Sequence, residues 1–308
     1  MPIKHSTRGF QGRARVSLTP LDGVGRKFQL GNTTTITESI EVERTARQNF
    51  QESGGGELDV NEAITSVTAE LVVDDIKPET VAIGMRSDVQ RLVSTPQAGE
   101  KHNAWPSERI SFKYIPDPEV EPTVAIDAAD SHATETAYAQ GALIVEASHV
   151  YLCTVAGTSG AVAPTFPTGG GTVTDGTVTW RDLGAPALVK DTHYAVTKHG
   201  IQFLPGGDTL FVGDHPLPIV VGYTANPQYV LQHFVNAGRE FLVEIDGENA
   251  ADNGLPNSVR YFRAKPSPTS GFNRVSSEFA SMTLTLTLLE DPTRIGAGVS
   301  KYMEERMI

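Results

Sequence analysis

Glu41, Glu43 and Glu70 are the side chains whose type and placement most invite chemistry. Paired carboxylates do acid and base work in glycosidases, where desolvation keeps one protonated while its partner stays ionised. All three fall on the polar positions of alternating segments, which predicts solvated strand residues outside any cleft. If the sheet that carries them joins copies of itself into a ring, the same carboxylates recur at fixed heights along a channel and give it a negative field.

Other chemical signals are weaker. His5, His102, His132, His149, His193, His199, His215 and His233 form neither an HExxH pair nor a Cys/His ligand cluster. There is no Gly-x-Ser-x-Gly elbow. Gly23-Val24-Gly25 lacks the third glycine of a dinucleotide loop and reads as a turn. Asp246-Gly247-Glu248-Asn249 with Asp252-Asn253-Gly254 offers calcium-type oxygens without EF-hand spacing, so a turn between strands is expected there. Cys153 is the single cysteine, expected as a buried structural thiol, and alone it builds no disulfide framework or thiolate metal cluster. These patterns predict no enzyme, no cofactor and no metal site.

The elements that must position the carboxylates are strands. Residues 281–288 alternate strictly, with Met282, Leu284, Leu286 and Leu288 on one face and Thr283, Thr285 and Thr287 on the other. That polar face carries short hydroxyls, which pack beside like strands and stay wet. Residues 33–45 alternate too, with Ile36, Ile40 and Val42 against Thr37, Ser39, Glu41, Glu43 and Thr45. So do residues 64–73, with Val67, Ala69, Leu71 and Val73 against Ser66, Thr68 and Glu70. The last two segments predict a hairpin joined by a long loop over residues 44–61. A short helix is expected from Pro78 to Met85, and a strand over 110–114 leads into a linker marked by Pro116, Pro118 and Pro122.

Composition changes after that linker. Residues 125–184 hold Asp127, Asp130, Glu135, Glu146, Asp175 and Asp182 against Arg181 alone, and are rich in Ala, Gly, Thr and Val, which suggests an insert. Further strands are expected at 194–203, 219–224, 240–246, 259–264 and 279–290, and residues 292–308 read as an arm for a neighbouring subunit. The formal net charge of −12 argues against a protein that grips nucleic-acid phosphate and leaves repulsion from DNA as a role. No run approaches the roughly 20 apolar residues of a membrane helix, and residues 1–10 lack the apolar centre of a secretory signal, so a soluble, cytoplasmically made chain is expected.

Several motifs follow one another in a telling order: Leu30-Gly31-Asn32 before the first amphipathic strand, the long loop, Asp74-Asp75, the short helix, Gly222-Tyr223-Thr224, residues 241–246 with Gly247-Glu248-Asn249, and a last alternating strand closing on Glu290-Asp291-Pro292. The order resembles the major tail tube proteins of long-tailed, siphophage-type bacteriophages, over about residues 1–122 and 188–308. A second segment, residues 151–160 with Pro164-Thr-Phe-Pro167 and residues 172–180, resembles a small β module recurrent in phage tail and fibre proteins.

The resemblance implies a mainly β protein. Its tail-tube domain, residues 1–124 and 188–308, would be a β-sandwich or half-barrel with a flanking helix, and residues 125–187 an inserted all-β decoration domain whose core holds Tyr151, Cys153, Phe166 and Trp180. Six copies would close a ring and rings would stack. Glu41, Glu43, Ser66, Thr68, Glu70, Thr283, Thr285 and Thr287 would line the lumen, while Gln48, Asn49, Phe50, Gln51, Glu57 and Leu58 would reach the adjacent ring. Partners would be further copies, a tape measure protein in the lumen, terminator and distal tail proteins, and DNA in transit without specific binding; the location would be the virion. The alternative is a tail fibre-associated or carbohydrate-binding adhesion module, with Trp180 and Phe166 as a sugar platform.

Overall fold

The computed structural model describes residues 9–51 and 55–308 and is mainly β, with antiparallel sheets throughout. It divides into two compact units, one of Met1–Gln90 with Val230–Ile308 and the other of Arg91–Tyr229.

The first unit contains β1 (Gly12–Pro20), β2 (Phe28–Gln29), β3 (Thr33–Gln48), β4 (Glu57–Val73), α1 (Pro78–Gly84), β5 (Phe241–Asn249), β6 (Leu255–Pro266), β7 (Met282–Leu288) and β8 (Met303–Met307). They form one antiparallel sheet in the order β2-β1-β5-β6-β7-β4-β3, with β8 paired to β6. Every second residue of β7 is buried from Met282 to Leu288, and Val67, Ala69, Leu71 and Val73 of β4 join them in one core. Val16, Leu18, Val243 and Tyr261 come in from the other strands, so the sheet folds around its own apolar face. α1 starts at Pro78, where a missing N–H costs nothing, and lays Val81 and Gly84 on that core. A β-carbon at Gly84 would run into Met282 and Leu284.

Two of the motifs that were far apart in sequence meet here. Asn32 donates its side-chain amide to both carboxylate oxygens of Asp74 at 2.8 Å, and the Asp74 N–H donates to the Asn32 carbonyl at 3.2 Å. Gly31, at φ +93°, lies where any β-carbon would overlap the Asp75 carboxylate.

Two expectations about this unit are corrected. The long loop over residues 44–61 is mostly strand: β3 runs to Gln48 and β4 starts at Glu57, opposite each other. Leu58 to Ile64 keeps the period of two, and Arg44 forms an ion pair with Glu57 across the ladder, so pairing persists where a loop was expected. Glu52, Ser53 and Gly54 of that loop, like His5, lie outside the described residues. The arm of residues 292–308 does not extend away. Its Met303–Met307 strand pairs with Asn257–Tyr261 of the same chain, and Tyr302 and Met303 pack on the chain's own core.

The second unit is also antiparallel. Leu217–Ala225 buries alternate residues and sits between Thr95–Ala104 and Thr123–Ile126, and Gly200–Phe203 sits between Tyr194–Thr197 and Arg109–Ser111. A four-stranded sheet orders Leu143–Glu146, His149–Val155, Val178–Gly184 and Thr172–Asp175. Both its faces are covered. Tyr151, Cys153, Val178 and Trp180 build one core, while Val150, with Leu143, Val145 and Leu183, joins a second core shared with Ile201, Phe203, Ile219 and Tyr223. Because the expected insert shares a core with its flanking strands, the compact unit divides from the rest at 90/91 and 229/230 rather than at 124/125 and 187/188.

Candidate functional site

The outer face of β7, β4 and β3 brings most of the sequence-derived surface residues into register. One row across the three strands reads Thr285, Glu70, Thr37; the next reads Thr287, Thr68, Ser39; and Glu41 lies opposite Ser66. Thr283 lies opposite Val72, an apolar residue on this face. Glu43 falls beyond a bulge at Thr65, opposite Ala63, on the part of the hairpin where both faces are exposed. Among the described residues, Glu41, Glu43 and Glu70 have no Lys or Arg nitrogen within 4.0 Å. Thr37 and Ser39 complete these rows; their parity with Glu41 was visible, and only the cross-strand register gives them their neighbours. Lys265, opposite Thr287, ends the second row with a cation that alternation alone did not reveal.

The other half of the sheet differs. β1 sets Arg13 and Arg15 opposite Glu248 and Asp246, Glu244 takes Arg260 at 3.2 Å, and Arg306 takes Glu304 at 2.7 Å. The hydroxyl-rich, uncompensated surface is thus confined to β7, β4 and β3. At the hairpin tip the Asn49 N–H donates to the Gly56 carbonyl at 2.6 Å, the Gln51 N–H donates to the Asn49 side chain at 2.9 Å, and Phe50 is 91% exposed. Gln48, Glu57 and Leu58 are strand residues of the same hairpin.

In the second unit Trp180 is fully buried and meets Tyr138 edge-on at 4.8 Å, and Phe166 packs on Tyr151 at 4.7 Å. Trp180 thus sits in a core, as expected, and a buried indole offers no ring to a sugar as the alternative reading required. Cys153 lies at the same depth, and burial pushes its thiol above the ordinary range. Two buried aspartates tie the loops of this sheet. Burial alone would raise the Asp175 carboxyl, but the Gly160 N–H at 2.8 Å, the His132 ring at 2.7 Å and the Trp180 indole at 3.4 Å outweigh it and hold it low. Asp182 is held low in the same way by the Gly170 N–H, the His149 ring and the Gly184 N–H.

Both carboxyls are depressed by folding, so the stability they contribute is fully present above the unfolded aspartate value of about 3.9 and is lost as pH falls through the lower folded values. Tryptophan fluorescence is expected to stay native down to about pH 4 and to change below it. A double Asp175→Asn, Asp182→Asn variant should melt earlier at neutral pH and lose that acid dependence. Loss of the native signal of the unaltered chain near neutral pH would contradict this account.

One nucleophile and base pair emerges only in three dimensions. Ser87 Oγ lies 2.6 Å from His233 Nδ1, and Arg274 lies 3.4 Å from Nε2. A guanidinium only donates, so it leaves Nδ1 to carry the proton and donate to Ser87, the reverse of what activates a serine. Among the described residues, no three His, Cys, Asp or Glu side chains gather as a metal centre requires, and no helix is long and apolar enough to cross a membrane.

Fold and surface together define a mainly β protein of two antiparallel units, with a curled sheet that turns a hydroxyl and carboxylate face outward. No curated protein matches the chain. It belongs to the family described as Protein of unknown function UCP028589, whose model matches residues 9–164 and 154–306.

Proposed function

We propose that the chain is a structural virion protein that polymerises as stacked hexameric rings into a phage tail tube and has no catalytic turnover. The observation that carries this reading is the surface of β7, β4 and β3, where hydroxyls and unpaired carboxylates stand in register on a sheet that is open at both ends of its strand order. An open sheet of this kind pairs uncontrollably unless its edges are closed, and joining copies into a ring closes them.

In the ring, Glu41, Glu43 and Glu70 face the bore with Ser66, Thr68, Thr283, Thr285 and Thr287. Carboxylates repel DNA phosphate and hydroxyls hold water at the wall, so DNA passes without sticking. The hairpin tip around Phe50 reaches the adjacent ring. Residues 125–187 serve as decoration of the tube. A tape measure protein fills the lumen before ejection, terminator and distal tail proteins cap the two ends, and the chain, made in the host bacterial cytoplasm, resides in the phage tail.

Negative-stain microscopy of the purified chain is expected to reveal rings or tubes, with matching fast-sedimenting species. A monodisperse monomer at every concentration and salt tried would overturn the proposal.

A further inference from the structure

Besides the outer edges of β2 and β8, two stretches of sheet edge in the first unit have no partner among the described residues. β3 gives one edge to β4 and leaves the other open along its length. β1 gives one edge to β5, and on the other β2 with Leu30 covers only Val16 to Leu18, so Gly12 to Arg15 stands open. Between these edges lies a slot of about 770 Å³ floored by Ile36, Ile245 and Val259. In its wall the side-chain oxygen of Asn257 is buried without a hydrogen-bond partner among the described residues. A buried acceptor left unmatched is costly.

The projecting part of the hairpin has the complementary defect. Ile40, Val42 and Ile64 continue the core-facing positions of β3 and β4, yet they are 59%, 50% and 56% exposed, because the chain's own core ends before them. Charge alternates in step on the two open edges. On β3 the opposite positions are Glu41 and Glu43; on β1, where Val16 and Leu18 face the core, the opposite positions are Arg13 and Arg15. Among the described residues none of these four charges has an ion-pair partner within 4.0 Å, although Arg13 and Arg15 stand opposite Glu248 and Asp246 on the β5 side of their strand.

We propose that β3 of one copy pairs antiparallel with the open edge of β1 of a second copy, Glu41 beside Arg15, Val42 beside Ala14 and Glu43 beside Arg13. The inference rests on the tube reading and specifies how its rings join. Every step of the sheet is antiparallel, and β1 and β3 run in opposite senses along it. A ring that keeps all copies the same way up therefore brings these two strands together antiparallel, head to tail. A slip of one residue would turn the glutamates into the slot and the apolar side chains out, so alternation fixes the register. The joint neutralises Glu41 and Glu43 with Arg15 and Arg13 and leaves Glu70 as the bare carboxylate of the wall.

The test uses the full chain carrying Ala14→Cys with Val42→Cys, the native Cys153 being buried. Oxidised tubes are expected to run on a non-reducing gel as a ladder of covalent multimers that ends at the ring size, while neither single cysteine variant gives more than dimers. Independently, Glu41→Arg with Glu43→Arg should abolish sedimenting tubes, and adding Arg13→Glu with Arg15→Glu in the same chain should restore them. Tubes that form without a ladder and tolerate the first charge swap would overturn this joint and leave the tube reading standing. If the unaltered chain forms no rings at all, the tube reading falls and takes the joint with it.

Discussion

Trp180→Ala is expected to destabilise the second unit by about 3–5 kcal/mol while rings and tubes still form. The indole is fully buried at the centre of the smaller core, edge-on to Tyr138, with its N–H directed at Asp175. Truncation removes the largest buried side chain of the sheet, opens a cavity and takes one donor from a buried carboxylate, three losses at a single position. In calorimetry the two units should then separate, one transition moving down by roughly 10 °C and the other staying in place. If the second unit decorates the outside of the tube, weakening it leaves assembly untouched; loss of tubes together with the lower transition would make it part of the wall or of the ring contact.

What could be read from the sequence follows from the range of the forces involved. Strict alternation in residues 281–288 and 64–73 located two strands and their wet faces because one covered face leaves a period of two that needs no partner to be seen. The same logic marked α1, whose Pro78 and flanking acids are local signals. It misjudged the hairpin because residues 57–64 show both faces to solvent in one copy, which drew the expected loop over residues 44–61 too wide. The extent of the second unit was hidden for the opposite reason. His149–Val155 is covered on both faces, by Tyr151 and Cys153 on one side and Val150 on the other, so its apolar run gives no hint of which neighbours share its core. Cross-strand register, which gives Glu70 its neighbours Thr37 and Thr285, depends on contacts far apart in the chain and has no local signature at all.

That register makes Glu70 the position from which the wall is best tested. It is exposed, flanked by hydroxyls on both sides, and one strand in from the open edge of β3, opposite Thr37 rather than opposite the Glu41–Glu43 stretch. Glu70→Lys is therefore expected to leave folding and tube formation unchanged and to convert a repelling surface into one that holds DNA. The substitution changes the wall by two charges per copy, and symmetry repeats that change at one height around every ring. Each added lysine that meets a phosphate releases counterions, so affinity for DNA should fall steeply with salt, a slope of about −0.9 per contact in logarithmic units. Assembled wild-type tubes should retain no DNA at moderate ionic strength, tubes of the Glu70→Lys variant should retain it at low salt and release it at high salt, and phage carrying the change should eject DNA slowly. Glu70→Gln removes the charge without reversing it and should fall between the two. If tubes with the reversed charge neither bind DNA nor slow its delivery, this face does not line the bore, because a field that matters to a passing polyanion cannot be reversed without consequence.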